Sequence, residues 1–210
     1  MVKVDQVFPD NEPLNEKQRQ IVDAACKLFT EQGYEVTSMD KVAAEANVSK
    51  RTVYSYFDSK EHLFCTVMGG MCAGFGEPSP DDIDFSGDFR TVLTESARLI
   101  LTKVTNPEKL LLMRTVVGEV EQFPMIGQTF WNEGPGKMRD EMANYFRRMQ
   151  EQGLMKKSDP VLAASRFQGF VAGPFLFQTL FSGTCDWSQE EALGTINDAV
   201  DAFLRAYAPD

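Results

Sequence analysis

An all-α fold is what this sequence predicts, and three observations predict it. Apolar residues recur at a helical period nearly throughout the 210 residues, and no alternating strand pattern stands out. The periodic segments open on Ser, Thr, Asn or Asp and close near Gly or Pro, residues that start and stop helices. Their lengths change along the chain, from three short helices in about 45 residues to four or five longer ones. The expected organisation is a three-helix N-terminal domain at 13–62 followed by a helical bundle at 63–210.

The first dozen residues read as an arm without a fixed fold. Then "NEKQRQIVDAACKLFTEQGY" places Ile21, Ala24, Ala25, Leu28 and Phe29 on one face. Asn15 with Gln18 three residues on has the pattern of a capping box, and Gly33 supplies the stop. Thr37, with Asp40 three on, is expected to cap "SMDKVAAEA", whose inward face is Met39, Val42, Ala43 and Ala46. "NVS" is the turn, and Ser49 caps "KRTVYSY". Asp58, with Glu61 three on, starts a longer helix through Phe64, Val67 and Met71. The four-residue break between the second and third helices makes this a helix-turn-helix pattern.

"GEPSPDDIDFSGD", at 76–88, is an acidic Pro/Gly/Ser loop. Beyond it, helices are expected near 88–104, 107–122, 124–152, 159–182 and 188–207. The third of these is interrupted at "EGPGK", where Pro135 lies between two glycines.

Composition removes several function classes. A chain that is 43% hydrophobic and 25% charged is ordinary for a soluble globular protein. Its most apolar stretch, 167–181, is too short for a bilayer and carries Gln168 and Gln178. With no signal-like segment either, no membrane partner is expected and the chain reads as cytoplasmic. Cys26, Cys65, Cys72 and Cys185 show no paired spacing and no histidine beside them, so no disulfide framework, metal site or cofactor is expected. The single histidine, His62, sits beside the motif, and no Ser/His/Asp, HExxH or Gly-rich phosphate loop is present. No catalytic residue is expected, and the chain does not read as an enzyme.

Net charge is −10, which argues against a polyanionic partner until its distribution is considered. Residues 13–62 carry only −1, whereas 63–210 carry −7. Within 48–60, Lys50, Arg51 and Lys60 face Asp58 alone. "VSKRTVYSYF" is thus a locally positive helix on an acidic body. In a helix-turn-helix the second helix enters the DNA major groove and its first residues meet base edges. Here those are Lys50, Arg51 and Thr52, behind the cap Ser49: cations for guanine N7 and O6, and a methyl for thymine. Tyr54, Ser55 and Tyr56 offer hydroxyls to phosphate oxygens, while Val53 and Phe57 face inward. Thr37, Ser38 and Lys60 lie at the starts of neighbouring helices, where an anion is favoured.

Residues 21–64, "IVDAACKLFTEQGYEVTSMDKVAAEANVSKRTVYSYFDSKEHLF", resemble the DNA-binding domain of the TetR/AcrR family of bacterial transcriptional regulators. "FP" at 123–124 followed by "FWNEGPGK" is similar to the C-terminal domains of an AcrR-like branch. The resemblance implies a homodimeric repressor on a pseudo-palindromic operator, released by a small-molecule effector. It also implies phosphate contacts from Thr37, Tyr54, Tyr56 and Lys60, and base contacts from Lys50, Arg51 and Thr52. Asp40 departs from the pattern: a carboxylate stands where the tetracycline-responsive member has a basic reading residue, and capping of its own helix is the role expected of it.

The family dimerises through its last two helices. In support, the 159–182 segment is apolar around much of its circumference, and Ser165, Gly169 and Gly173 recur every four residues, allowing close approach. Candidate effector contacts are Met113, Val117, Phe123, Phe130, Trp131, Phe170 and Phe177, with Glu121 as a polar anchor. Two alternatives keep the DNA-binding scaffold: action as an activator, or a redox input through Cys65 and Cys72. The two cysteines lie roughly 10 Å apart along one helix, too far for a disulfide within the chain.

Overall fold

A computed structural model describes residues 14–73, 83–182 and 187–209. The arm, part of the acidic loop (76–82) and Cys185 lie outside the described residues, as do the side chains of Met71 and Cys72. The described chain is helical: α1 (Glu16–Gln32), α2 (Met39–Glu45), α3 (Lys50–Tyr56), α4 (Lys60–Ala73), α5 (Phe89–Thr105), α6 (Pro107–Glu119), α7 (Pro124–Glu133), α8 (Pro135–Glu151), α9 (Pro160–Ser182) and α10 (Gln189–Tyr207).

Four of these helices, α6 to α9, begin on proline. The first helical position has no intrahelical use for its N–H, and the ring presets the helical φ. The interruption expected at "EGPGK" falls between α7 and α8: Pro135 starts α8, while Gly134 closes α7 by donating its N–H to the Phe130 carbonyl at 3.1 Å. Other ends follow the capping patterns, with two corrections. Asn15 and Gln18 form the reciprocal capping box of α1, and Ser188 and Glu191 form that of α10. The α2 cap is Ser38, whose Oγ accepts from Lys41 N at 3.3 Å, and not Thr37. Likewise Ser59, rather than Asp58, accepts from His62 N at the start of α4.

Packing divides the chain into two compact units, residues 1–75 with 111–134 and residues 76–110 with 135–210. These units do not follow a cut at residue 62, because α4 packs extensively on α7 and on α1. In the first unit, Phe29, Tyr34 and Phe64 form an aromatic triad with centroids 4.9–5.6 Å apart, and Phe123 meets Tyr34 edge-on at 4.8 Å. Ile21, Ala25, Val42, Val53, Phe57, Leu63, Leu112 and Ile126 complete this core. Each such large apolar side chain contributes roughly 1.5–3 kcal/mol on burial.

In the second unit, α9 packs against α8, α5 and α10. Phe146 and Phe203 stack at 5.0 Å, Phe167 meets Phe203 edge-on at 5.2 Å, and Leu93, Met142, Val171 and Phe175 surround them. The other side of α9 is open. Phe170, Phe177 and Phe181 are exposed, and nothing lies within 4 Å of where a side chain on Gly169 or Gly173 would begin.

Candidate nucleic-acid interface

The site is built on the turn between α2 and α3. Ala46 ends α2, and Asn47 takes a left-handed conformation (φ 52°), which asparagine tolerates better than most residues. Val48 N donates to the Ala43 carbonyl at 3.0 Å and closes the C-terminus of α2. Ser49 then caps α3, its Oγ accepting from Thr52 N at 3.0 Å. Val53 and Phe57 are buried and fix the rotation of α3 about its axis. Lys50, Arg51, Tyr54 and Ser55 are left exposed, with Tyr54 at 44%.

Not every residue read from the sequence presents its polar group outward. The Thr52 hydroxyl shares a 2.7 Å hydrogen bond with Ser49 Oγ, which engages one of the two O–H groups and leaves the other to donate. Ser55 Oγ donates to the Thr52 carbonyl at 2.7 Å. Tyr56 is half-buried and packs against the core. Thr37 is corrected outright. It is 1% exposed, its hydroxyl donates to the Gly33 carbonyl at 2.8 Å, and its N–H is held by Tyr34 O at 3.2 Å. Thr37 thus braces the turn before α2 and has no donor left for a phosphate.

Lys60 is also engaged. Its ammonium donates to the carbonyls of Tyr34 (3.0 Å) and Glu35 (3.3 Å) and lies 4.2 Å from the centroid of the Tyr34 ring. Ser38 remains exposed at the start of α2. Asp40 does not cap α2: its carboxylate reaches Lys50 Nζ at 2.7 Å. That hydrogen bond and charge raise the Lys50 pKa above its ordinary value. Sequence reading missed this pair, and it missed Lys41, an exposed cation on α2 held by Gln32 and Val36 O at 3.1 Å. The partners are five to ten residues apart and share no periodic pattern.

Of the eight residues expected to contact an effector, six lie in the first unit and two in the second. Phe123 and Phe130 pack on the core of the first unit, and Met113 is half-buried in that unit. Val117, Glu121 and Trp131 are exposed there, whereas Phe170 and Phe177 lie exposed in the second unit. A cavity of about 670 Å³ in the second unit is lined instead by Phe85, Phe89, Arg148, Met149, Gln152 and Leu154, among others. Cys65 is 2% exposed, shares a 3.2 Å hydrogen bond with Thr129, and has its thiol pKa pushed up by burial, the opposite of a reactive cysteine. His62 packs edge-on against Phe57 at 5.6 Å.

Residues 21–66 match the family described as "Bacterial regulatory proteins, tetR family". Residues 91–209, more than half of the chain, match "AefR-like transcriptional repressor, C-terminal domain". This chain belongs to the TetR family. It is a DNA-binding transcriptional regulator and not an enzyme.

Among solved TetR-family structures, the flavonoid-responsive regulator FrrA is 28% identical, with a TM-score of 0.79 over 92% of this chain and 97% of FrrA. A TetR-family regulator from Mesorhizobium loti MAFF303099 is 29% identical, with a TM-score of 0.77 over 91% of this chain and 96% of its own. The HTH-type transcriptional regulator YhgD of Bacillus subtilis (strain 168) is 28% identical over 153 residues, 71% of this chain and 77% of YhgD. No described helix is long and apolar enough to cross a membrane.

Proposed function

We propose that this TetR-family regulator is a repressor that binds a pseudo-palindromic operator as a homodimer and leaves it when a small apolar or amphipathic molecule binds. The observation that carries the reading is α3. It is a capped helix rooted by buried Val53 and Phe57, with Lys50 and Arg51 turned to solvent at its leading end and Tyr54 exposed one turn on. Arg51 is assigned to guanine N7 and O6, and Tyr54 to a phosphate. Lys60, already held on two carbonyls, serves the phosphate backbone through its remaining donor.

The dimer is proposed through α9 and α10. Phe170, Phe177 and Phe181 on α9 and Leu193 on α10 are exposed, and the positions at Gly169, Gly173 and Gly194 are open. Large apolar side chains left exposed on a helix pair call for a partner, and a two-fold repeat of the chain sets two reading helices on one face of the duplex. The repressor reading is supported by the description of the C-terminal family, and the effector reading by similarity to a flavonoid-responsive regulator. Flavonoids are the first compounds to test.

Fluorescence anisotropy on duplexes selected from genomic fragments tests the proposal. Specific binding with Kd on the order of 10⁻⁸ M or tighter is expected at physiological salt, weakening when effector is added. Equal affinity for selected and random duplexes would refute it.

A further inference from the structure

Asp40 and Lys50 come from the two helices of the helix-turn-helix and meet across its turn. Lys50 Nζ lies 2.7 Å from one carboxylate oxygen of Asp40 and 3.0 Å from the other. Both side chains are mostly in solvent, 59% and 64% exposed, and the ammonium also lies 5.9 Å from the centroid of the Tyr54 ring. An ion pair this exposed adds little to stability. On a surface that approaches DNA, a lone carboxylate is repelled by phosphates, so backbone affinity does not account for Asp40 either. A groove floor offers something else. Carboxylates accept from the N4 amino group of cytosine, and a lysine donates to O6 and N7 of guanine. In a C·G pair that amino group and that O6 lie side by side on the major-groove edge, a donor next to an acceptor. The Asp40–Lys50 pair presents the complementary order, acceptor next to donor, and the ammonium's three N–H groups exceed what Asp40 requires.

We infer that Asp40 and Lys50 act as one specificity-determining unit that reads a single C·G base pair in each operator half-site, Asp40 accepting from cytosine N4 and Lys50 donating to guanine O6 and N7. This rests on the assignment of α3 as the DNA-reading helix. Arg51, next in sequence and exposed, then reads a neighbouring position independently.

The test uses full-length protein and a selected operator in which each base pair is exchanged in turn. Anisotropy is read for wild type, Asp40→Asn, Asp40→Ala and Lys50→Ala at fixed salt, with thermal melts confirming that each variant is folded. Wild type is expected to lose about 5- to 150-fold for each half-site in which that C·G pair is reversed to G·C, which places an acceptor where Asp40 needs a donor. Asp40→Ala and Asp40→Asn are expected to flatten discrimination at that position alone and to leave the other positions within about twofold. A tighter, position-independent binding by Asp40→Ala, or no change, would overturn the inference while leaving the operator reading intact, since Asp40 would then only repel phosphate. Absence of any sequence preference in wild type would sink both.

Discussion

Gly33 holds a backbone conformation, φ 85° and ψ 167°, that only glycine adopts readily, and it does so where α1 must hand over to the turn before α2. Its carbonyl also receives the Thr37 hydroxyl. Gly33→Ala is therefore expected to destabilise the first unit by about 1–3 kcal/mol, read as a lower urea midpoint with unchanged slope. Arg51→Ala carries the opposite signature. Stability stays within about 0.5 kcal/mol because the side chain is exposed, while operator affinity falls by about 1–3 kcal/mol at one base position. What was legible at this scale was local. The Asn15 box, the Ser49 cap and the Gly33 stop each depend on neighbours three or four residues away, which a linear pattern displays. Lys60 reaches carbonyls 25 and 26 residues back, and Asp40 finds Lys50 ten residues on. No periodicity encodes those distances, so the sequence reading gave Thr37 a phosphate and Asp40 a cap.

At the scale of the element, α3 is only seven residues long and depends on its cap and on its buried Val53. Ser49→Ala removes the bond to Thr52 N and frees the Thr52 hydroxyl, at a cost of about 1 kcal/mol by thermal or chemical melting. The helix α9 has two faces with different needs. Phe167, Val171 and Phe175 are buried within the unit, but Phe177 is 67% exposed. Phe177→Asp is expected to leave the protomer folded and to shift sedimentation from dimer to monomer at micromolar concentration; an unchanged dimer would place the interface elsewhere. The all-round apolar character of α9 was plain in the sequence, and the reason is now visible in its inner packing and its outer open face. The break between α7 and α8 was plain as well, because a proline between glycines cannot continue the helix before it and is suited to begin the next.

At the scale of the whole molecule, each unit carries one fully buried tyrosine whose phenol resists ionisation. Burial and then the Glu61 carboxylate push Tyr34 upward, although no close hydrogen-bond partner meets its hydroxyl; burial and then Asp88 push Tyr145 up to about 12. Both folded pKa values lie above the ordinary value near 10. The stability they contribute is thus fully present below about pH 10 and is lost as pH rises through the folded values. Base titration followed at 295 nm should show two phenols ionising late, together with loss of helical signal. The charge map also belongs to this scale. A net −10 leaves affinity to a small cationic patch, so binding should fall steeply with salt yet retain its sequence preference. Selection of duplexes from a random library by the full-length protein tests the central claim most directly. The expected product is an inverted repeat with half-site centres about 10–10.5 base pairs, or a multiple of that, apart. Enrichment of a single unrepeated site, or of nothing at all, would contradict a pair of α3 helices presented together to consecutive grooves.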